Sequence, residues 1–270
     1  MPELPEVETV LRTLETQIKG EEILGVDVRL PKMIDRSPKE FEQKLLHHTF
    51  RTFSRRGKYL LFGMGDLTLV SHLRMEGKYF IEPDDAPVRK HTHVIFQLKG
   101  HRQLRYNDTR QFGTMELVEG ELDYRHFHGL GKEPFDITCT GDYLYEIAHS
   151  RSIPIKTLLL DQSVIAGIGN IYADEICFDN RIRPGVSCAR LSRAQCEGIV
   201  QSTKTILSEA IRCGGTTIRS YTSSLGVTGL FQLQCQIHSQ KHCGVCGTPA
   251  KTRRIGGRTS YYCPNCQNSR

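Results

Sequence analysis

Apolar residues recur between positions 6 and 18 at helical spacing. Val7, Val10, Leu11, Leu14 and Ile18 fall three or four residues apart, and Lys19-Gly20 ends the run. The pattern predicts an amphipathic helix lying on a core. From about position 22 to 118 the period shortens to β-type runs: Ile23 to Leu30, Thr49 to Phe53, Tyr59 to Met64, Thr68 to Leu73, Lys78 to Ile81, Val94 to Leu98, Gln103 to Tyr106 and Thr114 to Val118. Turn signals such as Gly65-Asp66 and Lys99-Gly100 separate several of them, as antiparallel hairpins require, so the segment reads as a β-sandwich.

Glycines 120, 129, 131 and 141, with Pro134, interrupt any period over 119 to 141, which reads as a linker. Helical patterns follow at Asp142 to His149, Ile155 to Leu160, Ile171 to Phe178 and Ser192 to Cys213. In the last, Ile199, Thr203, Ile206, Ala210 and Cys213 make a stripe stopped by Gly214-Gly215. Gly, Ser and Thr dominate 214 to 229, and no internal repeat is visible. The fold class expected is α+β and multidomain: a helix on an antiparallel sandwich, a helical domain, and a cysteine-rich end. The expected boundaries are 1–130, 131–235 and 236–270.

Length and composition narrow the function. A chain of 270 residues buries a large core. No apolar run approaches the roughly 20 residues of a membrane span, and no secretory leader is visible, so reduced thiols in the cytoplasm are expected despite ten cysteines. The net charge of +6 is unevenly placed. After Glu209 there is no Asp or Glu, only eight Lys and Arg, which leaves 1 to 209 at a net −2. A basic end on an otherwise balanced chain suits a polyanion, nucleic acid first; a merely solvated basic face is the other reading.

Three groups of residues carry candidate chemistry. Cys243-Gly-Val-Cys246 and Cys263-Pro-Asn-Cys266 enclose sixteen residues, the spacing of a four-thiolate zinc ribbon. The expected cofactor is one structural Zn²⁺, since four thiolates leave no open position for catalysis. Gly256-Gly257 would turn the intervening hairpin and set Arg258 near its tip. Second, Gly167-Ile-Gly169-Asn170 precedes a helical pattern, with Asn170 as a candidate N-cap and the loop a candidate phosphate cradle. Third, Ser71-His-Leu-Arg-Met-Glu-Gly77 and Asn107-Asp-Thr-Arg-Gln-Phe-Gly113 contain Met75, Arg110 and Phe112, residue types able to enter a duplex. Met and Phe are more often core residues, and Lys58 in Arg55-Arg-Gly-Lys58 is more often a solvated strand end than a phosphate clamp. At the start, Pro2 becomes a free secondary amine if Met1 is removed, and such an amine attacks carbonyl carbon. Glu3, Glu6 and Glu8 follow it. Pro and acidic residues also suit a plain helix start.

Taken together these motifs resemble those of the formamidopyrimidine-DNA glycosylase family. The PELPEVET start, RRGKYL, SHLRMEG, DxRxFG, LLLDQ…AGIGNIYADE, GGTTIRSY and the terminal CxxC…GGRT…CPxC ribbon span essentially the whole chain. The resemblance implies a catalytic sandwich domain carrying the nucleophile helix, a helix-two-turns-helix domain and the ribbon, with DNA in the cleft between the lobes. It implies Pro2 as nucleophile, Glu3 as general acid/base and Glu6 as a supporting carboxylate. Lys58, His72, Asn170 and Arg258 would hold phosphates. Met75, Arg110 and Phe112 would fill the gap left by an extruded base, facing the orphaned cytosine. Lys156, with Thr217, Ile218, Arg219, Ser220 and Tyr221, would line the base pocket. The implied partner is double-stranded DNA containing an oxidised purine or an abasic site, met by a monomer in the bacterial cytoplasm, at the nucleoid, with no membrane partner. The implied activity is excision of 8-oxoguanine and formamidopyrimidines followed by β,δ-elimination.

Two departures stand out. Gln236-Ile-His-Ser239 replaces a tyrosine-glycine pair usual in relatives, and Lys132 stands where a proline is common. Two other functions remain in play. An endonuclease VIII-like enzyme for oxidised pyrimidines would share the nucleophile, and a non-catalytic zinc-ribbon DNA-binding protein would share the ribbon but leaves the PELPEVET start unexplained.

Overall fold

The computed structural model describes residues 1–122, 127, 129–216 and 229–268. The chain forms two compact units, Met1–His126 with Thr216–Gly229, and Phe127–Gly215 with Leu230–Arg270. The ribbon therefore belongs to the same unit as the helices.

In the first unit, α1 (Leu4–Ile18) buries Val7, Val10, Leu11, Leu14 and Ile18 against the sandwich core. Each such side chain contributes about 1.5–3 kcal/mol of transfer free energy, which pins the helix along its length. The strands are β1 (Ile23–Val28), β2 (Thr52–Arg56), β3 (Tyr59–Gly63), β4 (Leu67–His72), β5 (Lys78–Pro83), β6 (Thr92–Leu98), β7 (Arg102–Asn107) and β8 (Thr114–Glu119). They form two antiparallel four-stranded sheets, ordered β1-β6-β7-β5 and β2-β3-β4-β8. Alternate residues of both sheets, including Leu60, Phe62, Leu69, Phe96, Leu104 and Tyr106, fill the space between them. One helix was not foreseen: α2 (Pro38–Leu45) starts at Ser37, whose hydroxyl accepts from Glu40 N, and buries only Phe41 and Leu45. Two apolar residues are too few to register as a period.

In the second unit, α3 (Gly141–His149), α4 (Ile155–Leu160), α5 (Asn170–Asp179) and α6 (Arg193–Arg212) pack together, α6 against α3 and α5. A Ser192/Gln195 capping box opens α6, and Gly214 and Gly215, both at positive φ, follow its end. The ribbon hairpin, β9 (Lys251–Ile255) and β10 (Arg258–Tyr262), turns on Gly256 and Gly257 at φ +56° and +76°, the two positive values a tight hairpin turn needs. Among the described residues no helix is long and apolar enough to cross a membrane.

Candidate active site and nucleic-acid interface

The first unit gathers the candidate reagents at the start of α1. Pro2 is buried behind a half-buried Met1, which makes its nitrogen an amide as the chain stands. Glu3 caps the helix in a capping box with Glu6, whose Oε2 accepts from Glu3 N at 2.8 Å. The other Glu6 oxygen accepts from Thr216 N at 2.8 Å and from Thr216 Oγ1 at 3.0 Å. One carboxylate thus ties the N-terminus to the beginning of the TTIRSY segment, 210 residues away. Thr217, Ile218, Arg219, Ser220 and Tyr221 themselves lie outside the described residues. Glu8 is an anchor: its Oε2 accepts from Arg55 Nε at 3.1 Å, and Arg55 also donates to Gly57 O at 2.8 Å. These bonds fix the turn, with Gly57 at φ +56°, that delivers a buried Lys58.

His72 ends β4, edge-on to Tyr59 with ring centroids 4.5 Å apart, and its Nδ1 accepts from Arg74 N at 2.9 Å. That bond assigns the proton to Nε2. Burial, with Arg74 and Lys58 close by, lowers its pKa to about 3. His72 is therefore a neutral hydrogen-bond donor at physiological pH, not a cation. Its unfolded form takes up a proton below about 6.5. The stability that a neutral His72 contributes is therefore complete above that pH and declines as pH falls from 6.5 toward 3. Denaturant midpoints measured across pH 4 to 8 should show this loss in the parent, by up to about 1.4 kcal/mol per pH unit, and not in His72→Gln; parallel pH profiles would refute it.

Two exposed turns leave the same sandwich. Met75 sits half-buried in the turn after β4, while Arg110 and Phe112 lie in the turn after β7, with Arg110 stacked 4.9 Å from the Phe112 ring centroid. Asp108, fully buried, shapes the second turn: Oδ1 accepts from Arg110 N, and Oδ2 from Phe112 N and Gly113 N, at 2.8 to 2.9 Å. Thr109 Oγ1 donates to the Glu76 carboxylate, joining the turns. A Cβ on either Gly77 or Gly113 would collide with the buried Tyr106 hydroxyl, which explains why both motifs end in glycine. Phe112, 52% exposed, is no core residue. Asp108 and Tyr106 were not singled out from sequence, although the Asp of DxRxFG was a visible signal.

In the second unit Asn170 is the first residue of α5, and Gly169 occupies the N-cap. The N-cap expectation for Asn170 is corrected: its Nδ2 donates instead to Thr259 O at 3.2 Å, next to exposed Arg258 on the ribbon hairpin. Among the described residues Asn170 Oδ1 is buried without a hydrogen-bond partner. Asn170 and Arg258 are thus brought to one place at the positive end of α5.

Lys156 is fully buried, and its Nζ donates to Asp174 Oδ1 at 2.6 Å and Thr259 O at 3.2 Å, a structural ion pair within the second unit; the residues expected to line a base pocket with it, 217 to 221, lie outside the described residues. Helix α5 supplies two carboxylates whose roles no sequence motif announces. Asp174 Oδ2 meets His238 Nδ1 at 2.7 Å and Tyr261 N at 3.2 Å. Glu175 accepts the backbone N–H groups of Gln236, Ile237 and His238 at 2.7 to 3.0 Å. The departure at 236–239 therefore has a defined geometry. So does Lys132, which donates to Thr138 O and lies over the Tyr143 ring.

All ten cysteines are free thiols, and Cys213 is the only half-exposed one of the six outside the ribbon. Cys243, Cys246, Cys263 and Cys266 place their sulfurs within 4.8 Å of one another. The Cys243–Cys266 and Cys246–Cys263 separations are 3.8 and 3.5 Å, against about 3.8 Å for two thiolates on tetrahedral zinc with 2.3 Å bonds. The donor set fits one structural Zn²⁺ that closes the knuckles from which Arg258 projects. Cys246→Ser or strong chelation should release the zinc and weaken DNA binding at least tenfold; metal-free protein that binds DNA normally would detach the ribbon from the interface.

Comparison with known proteins agrees with this layout. Residues 1–115 match the formamidopyrimidine-DNA glycosylase N-terminal domain, 130–222 the formamidopyrimidine-DNA glycosylase H2TH domain, and 241–268 the zinc finger found in FPG and IleRS. Formamidopyrimidine-DNA glycosylase of Listeria monocytogenes is 43% identical over 99% of this chain and 100% of its own length. That of Bacillus licheniformis is 44% identical over 99% of each. Lactococcus lactis Fpg, solved in complex with an abasic site containing DNA, superposes with a TM-score of 0.93 at 36% identity over 99% of this chain and 100% of that one. Its complex with N7-benzyl-Fapy-dG DNA gives the same TM-score at 37%, with the same coverage. The chain belongs to the formamidopyrimidine-DNA glycosylase family.

Proposed function

We propose that the protein excises 8-oxoguanine and formamidopyrimidines from double-stranded DNA and then cleaves the strand at the resulting abasic site. The observation that carries this reading is the arrangement at the N-terminus. A proline one residue from the chain start is buried beside a Glu3/Glu6 capping box whose second carboxylate oxygen reaches Thr216.

Removal of Met1 leaves Pro2 a secondary amine. Its attack on C1′ of the deoxyribose expels the base; loss of the amine proton and cleavage of the C1′–O4′ bond, with O4′ taking up a proton, then open the sugar ring and leave an iminium with no N–H to lose, a persistent electron sink. Loss of a C2′ proton then drives β-elimination of the 3′ phosphate, and a second elimination releases the 5′ side. Glu3 carries the protons because it is tethered to the neighbour of the nucleophile, where positioning is the main advantage. Glu6 orients: both its oxygens are spent on backbone and hydroxyl donors. Lys58 and Arg258 supply charge to phosphates, His72 and Asn170 neutral hydrogen bonds, and Met75, Arg110 and Phe112 the wedge. The zinc ion, held by the four cysteines, fixes the ribbon and takes no part in the reaction. The chain is read as a monomer of the cytoplasm, with the nucleoid as its place of work.

Borohydride trapping on paired duplexes tests the assignment. An adduct with 8-oxoguanine opposite cytosine in preference to an oxidised pyrimidine is expected. The reverse preference would favour the endonuclease VIII-like reading, and absence of adduct from processed, zinc-loaded protein would favour a non-catalytic DNA binder.

A further inference from the structure

A cavity of about 390 Å³ opens in the second unit between the segment after α5 and strand β9. Arg183, Arg190 and Arg253 line it, with Ser187 and Tyr262. No carboxylate lines it. Arg183 is oriented by carbonyls alone, its Nε donating to Gln267 O at 2.7 Å and one Nη to Pro264 O at 3.4 Å. Arg190 and Arg253 are exposed and make no ion pair among the described residues. Gly185 keeps the space open: a Cβ there would lie 3.5 Å from Arg253 Nη1 and 3.6 Å from Ile255 Cδ1.

Three guanidiniums facing one concavity without a counter-charge repel one another, and an oxyanion that accepts from them relieves this. Guanidinium forks match phosphate oxygens in particular. The hairpin register says which phosphate. Arg258 pairs with Ile255 and Ser260 with Arg253, so Arg253 and Arg258 lie on one face of the hairpin, diagonal to each other. That diagonal spans about 7–8 Å, within reach of neighbouring phosphates of one strand.

We infer that the Arg183–Arg190–Arg253 pocket is a further phosphate-binding site, taking a phosphodiester of flanking DNA beside the one held by Arg258. The inference rests on the DNA-binding reading above but not on the chemistry at Pro2.

The salt dependence of binding to a lesion-free duplex tests it. Each phosphate contact contributes about 0.9 to the slope of log K against log salt. Arg190→Gln with Arg253→Gln should lower the slope by about 1 to 2. Gly185→Leu, which fills the cavity without changing charge, should lower it by about 1. Zinc content and thermal melting confirm that each variant is folded. Unchanged slopes in the Gly185→Leu variant would overturn the site, even if the arginine variant weakens binding by general loss of charge. Inorganic phosphate, titrated into parent and Gly185→Leu protein, separates the two sources: binding of phosphate with an unaltered DNA slope would make this a free-anion site and overturn the DNA assignment. Failure of the parent to form a trapped adduct would count against the proposed reaction only, because the slopes need no catalysis.

Discussion

A chain carrying a short peptide ahead of Pro2 forms no borohydride-trapped adduct with 8-oxoguanine DNA, and its excision rate falls by at least about 10⁴-fold. The expectation follows from bonding, not from crowding. An amide nitrogen has its lone pair delocalised into the carbonyl and cannot attack C1′, whereas the proline amine can. The extension leaves Glu3, Glu6 and Thr216 in place, and their hydrogen bonds are made by groups beyond the nucleophile. Binding of the same duplex should therefore persist within a few-fold, which separates loss of reaction from loss of fold. Intact mass identifies the two forms. A normal adduct from the extended chain would remove Pro2 from the mechanism and return it to the role of helix-starting residue.

Glu175→Ala carries the largest expected cost in stability. The carboxylate accepts from three consecutive backbone N–H groups, at Gln236, Ile237 and His238, and Ile237 is fully buried. Removing it strands those donors at about 1–3 kcal/mol each, less where water enters, so the second unit should lose about 3–5 kcal/mol. Ile237 packs in one apolar cluster with Phe178, Cys243 and Cys263, so the loss reaches the metal ligands. Faster zinc release to a chelator and a lower melting temperature are expected, with Glu175→Gln intermediate because it keeps one acceptor oxygen. Wild-type zinc retention in the alanine variant would show that the segment is held by other means.

Much of this architecture is legible in the sequence because it is local. The stripe from Val7 to Ile18, the alternating strands and the paired CxxC motifs each lie within a short window, and the physics that reads them, periodicity and chelate spacing, is local too. What escapes is long-range pairing. Nothing near Thr216 announces that its N–H belongs to Glu6. Lys156 looks like any helix lysine until Asp174 and the Thr259 carbonyl close on it as a buried ion pair. Asn170 was one position late for a cap because Gly169, adopting the extended backbone, took that place. Glu175 is an unremarked acid in a helix whose three donors come from the stretch where the chain departs from its relatives. Motif residues stand out within a short window, while the groups that orient them come from far along the chain.

The Asp108 carboxylate accepts from Arg110, Phe112 and Gly113, so every bond that shapes this turn lies within the protein itself. Conformational entropy of the turn is therefore lost once, when the chain folds, rather than at every encounter with a base pair. A protein searching a genome meets intact pairs far more often than damaged ones. With a turn already rigid, the waiting time at each step is set by how readily the duplex itself unstacks, and a weakened lesion step is distinguished by its own mechanics before any base is extruded.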